Sequence, residues 1–272
     1  MASSSRRMTR FPLFRTITAA LYVFLYAPIA IFILFAFNDS DAVSVWGGFT
    51  FRWFGVALAN DELQKAGMNT LLIAFSATIF AVLLSIPAAL ATSSPGRKRQ
   101  AYPWFLPLVS LPLITPEIVV GIALLSFFSL VGLDLGRVNI IIAHTVFCLP
   151  FAYLPIVSRL RSMNPSIMEA ADDLYASRSA RFRRIILPML APGVVAGGML
   201  AFIVSFDNFI ISFMVAGAGG TTLPMFIYGL AKTQITPELN ALSVMVMLVS
   251  LLLLMIAYIV SRGRLLTMGT GD

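Results

Sequence analysis

Six long apolar runs, at residues 17–37, 67–92, 104–130, 138–158, 189–215 and 239–261, take up most of the chain. Each is about as long as the ~20 residues that an α-helix needs to cross the hydrocarbon core of a bilayer. No water is available there to satisfy backbone N–H and C=O groups, so only helices and closed barrels can span it. The alternating pattern of a barrel is absent, and the runs predict an all-α integral membrane protein of about six transmembrane helices. Composition agrees, because 11% of the 272 residues are charged where a soluble domain carries about 25%. No separate soluble domain fits between the runs. The 15 prolines and 18 glycines are tolerable in membrane helices whose neighbours satisfy the freed backbone groups.

The formal charge of +7 and the pI near 10 do not point to nucleic acid, since the cations are dispersed between apolar runs rather than gathered on one domain. Their placement orients the chain. One side holds Arg6, Arg7, Arg10 and Arg15, then Arg97, Lys98 and Arg99, then Arg159, Arg161, Arg178, Arg181, Arg183 and Arg184, then Arg262 and Arg264, which is fifteen of the 19 cations. The other side holds Arg52, Lys65, Arg137 and Lys232. Both termini are therefore expected in the cytoplasm. Residues 1–16 form a basic cytoplasmic N-terminus, 17–261 one transmembrane domain with a cytoplasmic connection at 159–188, and 262–272 a cytoplasmic tail. Ser5-Arg6-Arg7 before an apolar run faintly resembles a twin-arginine export signal. The run from Ile17 to Phe37 is nevertheless long enough to span and lacks a small-residue cleavage site, which predicts an uncleaved first helix. The external segment from Asn38 to Ala66 mixes acids with Trp46, Phe49, Phe51, Trp53 and Phe54, a composition that fits a membrane interface or a docking surface for a partner.

The longest cytoplasmic connection runs from Arg159 to Pro188. Ser166 and Glu169 have the spacing of a capping box, which predicts a helix starting at Ser166. Ile167, Ala170, Ala171 and Leu174 recur at i, i+3, i+4 and i+7, an apolar stripe with Asp172 and Asp173 off it. Such a helix can lie in the membrane interface or seat in a protein groove; the small alanines at the stripe centre favour close approach to a protein.

Glu169-Ala170-Ala171, Leu174, Ala176, Ser177, Phe182, Leu187-Pro188 and Pro192 match the EAA signature, and through it the chain resembles the inner-membrane components of binding-protein-dependent ABC importers. That resemblance implies an ABC importer type I permease fold, with a core of about five helices plus a variable first one. It implies that the connection is a coupling helix seated on an ATPase subunit, with Glu169, Ala170, Ala171, Asp173, Leu174, Ala176 and Ser177 as the coupling residues. Tyr175 stands where the family usually has a glycine, a residue that eases the turn between two short helices. The implied partners are two ATPase subunits that hold ATP and Mg, a second homologous permease subunit and an external solute-binding protein, and the implied location is a bacterial inner membrane. No cofactor is expected on this chain itself.

Pro116-Glu117-Ile118-Val119, the segment from His144 to Pro150, Ser158-Arg159-Leu160, Thr221-Thr222-Leu223-Pro224 and the segment from Pro237 to Leu242 look like the second permease of spermidine and putrescine importers. A small organic cation is the solute this implies, with a sugar, an anion or a metal as alternatives. Those importers typically show two acids where this chain has Asp207-Asn208. Independently of family, Glu117 and Asp207 lie within or at the edge of predicted spans, where a carboxylate costs about 2.5–3.5 kcal/mol and should face a partner or a wet path. Asp207, Asn208 and Glu117 are therefore the candidate substrate-path residues, although Glu117, following Pro112 and Pro116, can equally cap a broken helix. His144 and Cys148, one turn apart, fit packing better than ligation, and a single His with a single Cys makes no zinc cluster. No glycine-rich phosphate loop surrounds Lys65, Lys98 or Lys232, so ATP is expected on another subunit. An ATP-independent secondary transporter would need coupling-ion sites, often in inverted repeats, and no clear repeat is visible. An intramembrane enzyme would need a catalytic constellation that these residues do not supply.

Overall fold

The computed structural model describes residues 12–41, 45–94, 102, 104–233 and 236–266. Ser5 and the orienting cations Arg6, Arg7, Arg10, Arg97, Lys98 and Arg99 lie outside the described residues. The elements are α1 (Pro12–Phe35), α2 (Arg52–Leu58), α3 (Asp61–Thr92), α4 (Phe105–Val109), α5 (Leu111–Ile114), α6 (Glu117–Leu130) and α7 (Arg137–Arg161). There follow α8 (Ser166–Asp173), α9 (Arg178–Arg181), a π-helical turn at Phe182–Ile186, α10 (Leu187–Asp207), α11 (Ile210–Val215), α12 (Leu223–Thr233) and α13 (Pro237–Leu266). No strand occurs among the described residues, only a single antiparallel bridge between Asn38 and Phe49. Among the described residues, five helical stretches are long and apolar enough to cross a membrane: Phe14–Phe35, Asp61–Thr92, Arg137–Arg161, Arg178–Asp207 and Pro237–Ile256.

Two compact units can be distinguished. The first takes in the chain up to Asn60 together with Leu230–Met247. Its α1 shows Leu21, Tyr22, Val23 and Phe24 on the outside, a surface that only lipid or another protein would cover. After α1 the backbone folds onto the Asn38 side chain, whose Nδ2 donates to the Val45 carbonyl at 2.7 Å while its Oδ1 accepts from the Gly47 N–H at 2.8 Å. The Trp53 indole donates to the Asn38 carbonyl at 2.8 Å. Phe37 stacks on Phe49 and meets Phe51 and Phe54 edge-on or tilted. The aromatics of this segment thus form one folded cluster, in which Trp53 packs with Ala36, Ala241 and Val244.

The second unit, Asp61–Gly229 with Leu248 onward, is built on α3, α7 and α10. Spans in lipid gain little from the hydrophobic effect, so close packing of small residues must hold them together. On α3 the buried face runs through Ala66, Thr70, Ala74, Ala77, Ala81, Ser85 and Ala89. On α10 it runs through Gly193, Gly197, Ala201 and Ser205, one residue every four. A Cβ on Gly197 would sit 2.5 Å from the Ala152 carbonyl oxygen, and one on Gly193 2.7 Å from the Arg159 Cβ. These two glycines let α10 touch the backbone of α7. The order of contacts, Gly193 at Arg159, Gly197 at Ala152 and Ser205 at His144, makes the two helices antiparallel. Polar links then fix the far ends of α3 and α7, where Thr92 Oγ1 and Tyr153 Oη lie 2.7 Å apart and Arg161 Nε donates to Ser93 Oγ at 3.2 Å.

Two apolar runs that hydropathy presents as continuous are broken. Run 104–130 divides into α4, α5 and α6, because Thr115 (ψ 134°) and Pro116 (ψ 133°) are extended. Pro116 lacks an N–H and disfavours helical geometry at Thr115. Run 189–215 breaks at Asn208, whose ψ is 113°, with no proline to announce it.

Candidate functional site

The 159–188 connection folds into two short helices. The capping box expected at Ser166 and Glu169 does not form. Pro165 already has helical angles (φ −61°, ψ −28°), and Asn164 Oδ1 accepts from the Ser166 N–H at 3.1 Å. Asparagine is a strong N-cap and proline suits the first helical position, so the Asn-Pro pair starts the helix before Ser166 can. The predicted stripe also divides. Ala171 is buried and Ile167 half-buried, whereas Ala170 and Leu174 face outward, Leu174 being 81% exposed. Glu169, Asp173 and Ser177 are exposed and Ala176 is half-buried.

Helix α8 ends at Tyr175, which has a φ of 50° and is 96% exposed. The Ala176 N–H donates to the Ala171 carbonyl at 3.0 Å and the Tyr175 N–H to the Asp172 carbonyl at 2.9 Å. These are the two bonds of a Schellman motif, which normally ends in glycine. The turn therefore keeps the geometry of a glycine turn, although a tyrosine occupies it. Ser177 Oγ then accepts from the Ala180 N–H at 3.3 Å and caps α9, while Asp172 pairs with Arg181 across the turn. The π-helical turn at Phe182–Ile186 carries the chain into α10. The result is a compact surface on which exposed Leu174 and Tyr175 stand beside the acids of α8 and the exposed Arg178, Arg183 and Arg184.

The second constellation lies where the two broken runs meet. Gly121 packs against α11, where an added Cβ would lie 2.9 Å from Met214 Cγ, and Glu117 sits one turn earlier on the same face of α6. Asp207 is the last residue of α10. The two carboxylates thus stand at two helix breaks whose neighbouring segments, α6 and α11, pack together, and neither is ion-paired with a cation among the described residues. Asn208 is only 6% exposed, and its Oδ1 accepts from the Ile211 N–H at 3.1 Å, which caps α11. Its side chain is thus committed to holding the break, while Asp207 is exposed.

His144 is buried between the two halves of the broken run. Its Nδ1 lies 2.7 Å from Ser205 Oγ on α10 and its Nε2 2.9 Å from Ser212 Oγ on α11. Cys148, one turn on, donates to the Ala201 carbonyl at 3.3 Å. Neither Ser205 nor Ser212 is evident from the sequence as a functional residue; the readable signal is the four-residue repeat Gly193, Gly197, Ala201, Ser205. At the end of α3 and α7 remote from Arg161, a cavity of about 600 Å³ is lined by Glu62, Lys65, Asn69, Arg137, Gly219 and Thr221 among others. Asn69 Nδ2 holds its rim by donating to the carbonyls of Gly219 and Thr221, both at 3.1 Å.

Residues 81–264 match the family of binding-protein-dependent transport system inner membrane components. The chain is 35% identical over 254 residues to the spermidine/putrescine transport system permease protein PotC of Escherichia coli strain K12, covering 93% of this chain and 95% of that one. It is 36% identical over 232 residues to the putrescine transport system permease protein PotI of the same strain, covering 83% and 82%. Its fold is similar to a chain of the bacterial alginate ABC transporter solved in complex with an alginate pentasaccharide-bound periplasmic protein, with a TM-score of 0.65, 18% identity and 92% of each chain covered. With a helical bundle of membrane-spanning length and a family match over most of its sequence, the chain belongs to the inner membrane components of binding-protein-dependent transport systems, as a permease subunit of an ABC importer.

Proposed function

We propose that this permease admits a polyamine, spermidine or putrescine, or a closely related organic cation, along a path that passes between Glu117 and Asp207. The observation that carries the reading is that two helix breaks whose neighbouring segments α6 and α11 pack together each carry a carboxylate, neither of them ion-paired with a cation among the described residues. Placing two like charges together in a membrane is unfavourable unless a cation is to pass, and a linear polyamine presents amines that two carboxylates can hold at once. The names of the relatives PotC and PotI support the same solute class. Asn208, which caps the break, serves the path by holding Asp207 in place.

The rest of the machine follows from the connection. The exposed side chains of Glu169, Ala170, Asp173, Leu174 and Ser177, with Ala171 and Ala176 behind them, form the surface that seats on an ATPase subunit. Two such subunits carry ATP and Mg, and this chain hydrolyses nothing. A second, homologous permease completes the path. An external binding protein delivers the solute at the end where Lys65 and Arg137 line the cavity, while both termini and the 159–188 connection face the cytoplasm of a bacterial cell.

The test is uptake by the complete complex in proteoliposomes. Asp207→Asn should lower spermidine uptake about tenfold, as expected on losing one hydrogen-bonded charge contact, with the complex still assembled. Normal uptake by Asp207→Asn, or preferential import of an anion or a neutral sugar by the unmodified complex, would refute the cation path.

A further inference from the structure

We infer that His144 is a positioning residue for Asp207: its imidazole staples together the two helical segments that flank the break at Asn208, and so sets where the Asp207 carboxylate points. This rests on the reading of Asp207 as part of the cation path.

The hydrogen-bond directions can be worked out from one fixed end. The Asn208 carbonyl can only accept, so the single hydroxyl proton of Ser212 goes to it, at 2.9 Å. Ser212 Oγ must then accept from His144, which places a proton on Nε2. In a neutral imidazole Nδ1 is then an acceptor, and it takes the hydroxyl proton of Ser205 at 2.7 Å. The chain reads Ser205 to His144 to Ser212 to the Asn208 carbonyl, with every proton assigned and one tautomer consistent with all of it.

Location gives this chain a task. Ser205 precedes the break and Ser212 follows it, so Asp207 and Asn208 lie between the two points that His144 holds. The imidazole itself hangs on the face of α7 that packs closely on α10, the one whose Cys148 bonds the Ala201 carbonyl and whose Ala152 carbonyl would collide with a Cβ at Gly197. Glu117 is registered separately, through the contact of Gly121 with Met214 on α11. A swing of α11 against α10 would therefore change the separation of the two carboxylates, and the staple opposes that swing. Filling the same volume would require only an apolar side chain, without the ordering of three polar groups that a buried network demands.

A double-mutant cycle on spermidine uptake by the complete complex tests it, because residues coupled through one network are non-additive whereas independent ones multiply. His144→Leu should raise the apparent KM for spermidine roughly tenfold with assembly unchanged, in the range of coupled network residues, and should add nothing when placed on Asp207→Asn. Losses that multiply in the double variant would overturn the inference, as would an unchanged KM in His144→Leu. If His144→Leu does not assemble, Ser205→Ala takes its place: it cuts one leg of the staple while leaving the Ser212 bond to Asn208 intact, and the same epistasis or additivity decides. If Asp207→Asn alone leaves uptake normal, the cation path itself fails, and that outcome is distinct from a multiplicative loss.

Discussion

Tyr175→Gly isolates the energetic consequence of a tyrosine in a glycine turn. A non-glycine residue at a φ of 50° carries about 1–2 kcal/mol of left-handed strain. Glycine relieves that strain but adds about 0.5–1 kcal/mol of backbone entropy lost on ordering. The tyrosine ring is almost fully exposed and has no aromatic partner among the described residues, so its removal sacrifices no packing. The net expectation is a turn more stable by about 0.5–1 kcal/mol, roughly a two- to fivefold smaller opening constant. Amide hydrogen exchange reads this directly, because the Tyr175 and Ala176 N–H groups are the two donors of the motif. At position 175 in the variant and at Ala176, exchange should slow two- to fivefold after correction for intrinsic rates. Tyr175→Ala should give no such gain, since alanine keeps the left-handed cost, and Tyr175→Val should speed exchange because a β-branched residue tolerates positive φ worst. Unchanged or faster exchange in Tyr175→Gly, with Tyr175→Val no worse than wild type, would refute the strain assignment.

Two further outcomes follow from the packing and the caps. Asn164→Ala should destabilise α8 by about 1 kcal/mol while Ser166→Ala changes it by a few tenths, measured as exchange at Ile167 through Glu169; equal effects would return the cap to Ser166. Gly197→Ala should cost about 1–3 kcal/mol by overpacking against the Ala152 carbonyl, seen as a lower unfolding temperature of the purified chain in detergent, and an unchanged temperature would mean that α7 and α10 are not as close as 2.5 Å from that Cβ implies.

The sequence by itself determined that the chain is an all-helical membrane protein, because lipid leaves a backbone no partner but itself and forces long apolar runs. It also carries the family signature, because the EAA residues stand close together along the chain. Glu117 and Asp207 could be singled out singly, as charges too costly to place in lipid without a use. Only tertiary structure decided that their segments adjoin, since α6 packs on α11, just past the break after Asp207, through a contact of Gly121 that no local pattern announces. The break at Asn208 was invisible for a related reason: no proline causes it, and the His144 imidazole that bridges its two flanks meets Ser212 across 68 residues. Tyr175 marks the same boundary at the level of one residue. Its sequence named the position where glycine was expected, but only the surrounding hydrogen bonds, Ala176 to Ala171 and Tyr175 to Asp172, decided that the left-handed turn would form anyway, because two backbone bonds outweigh the strain of a single side chain.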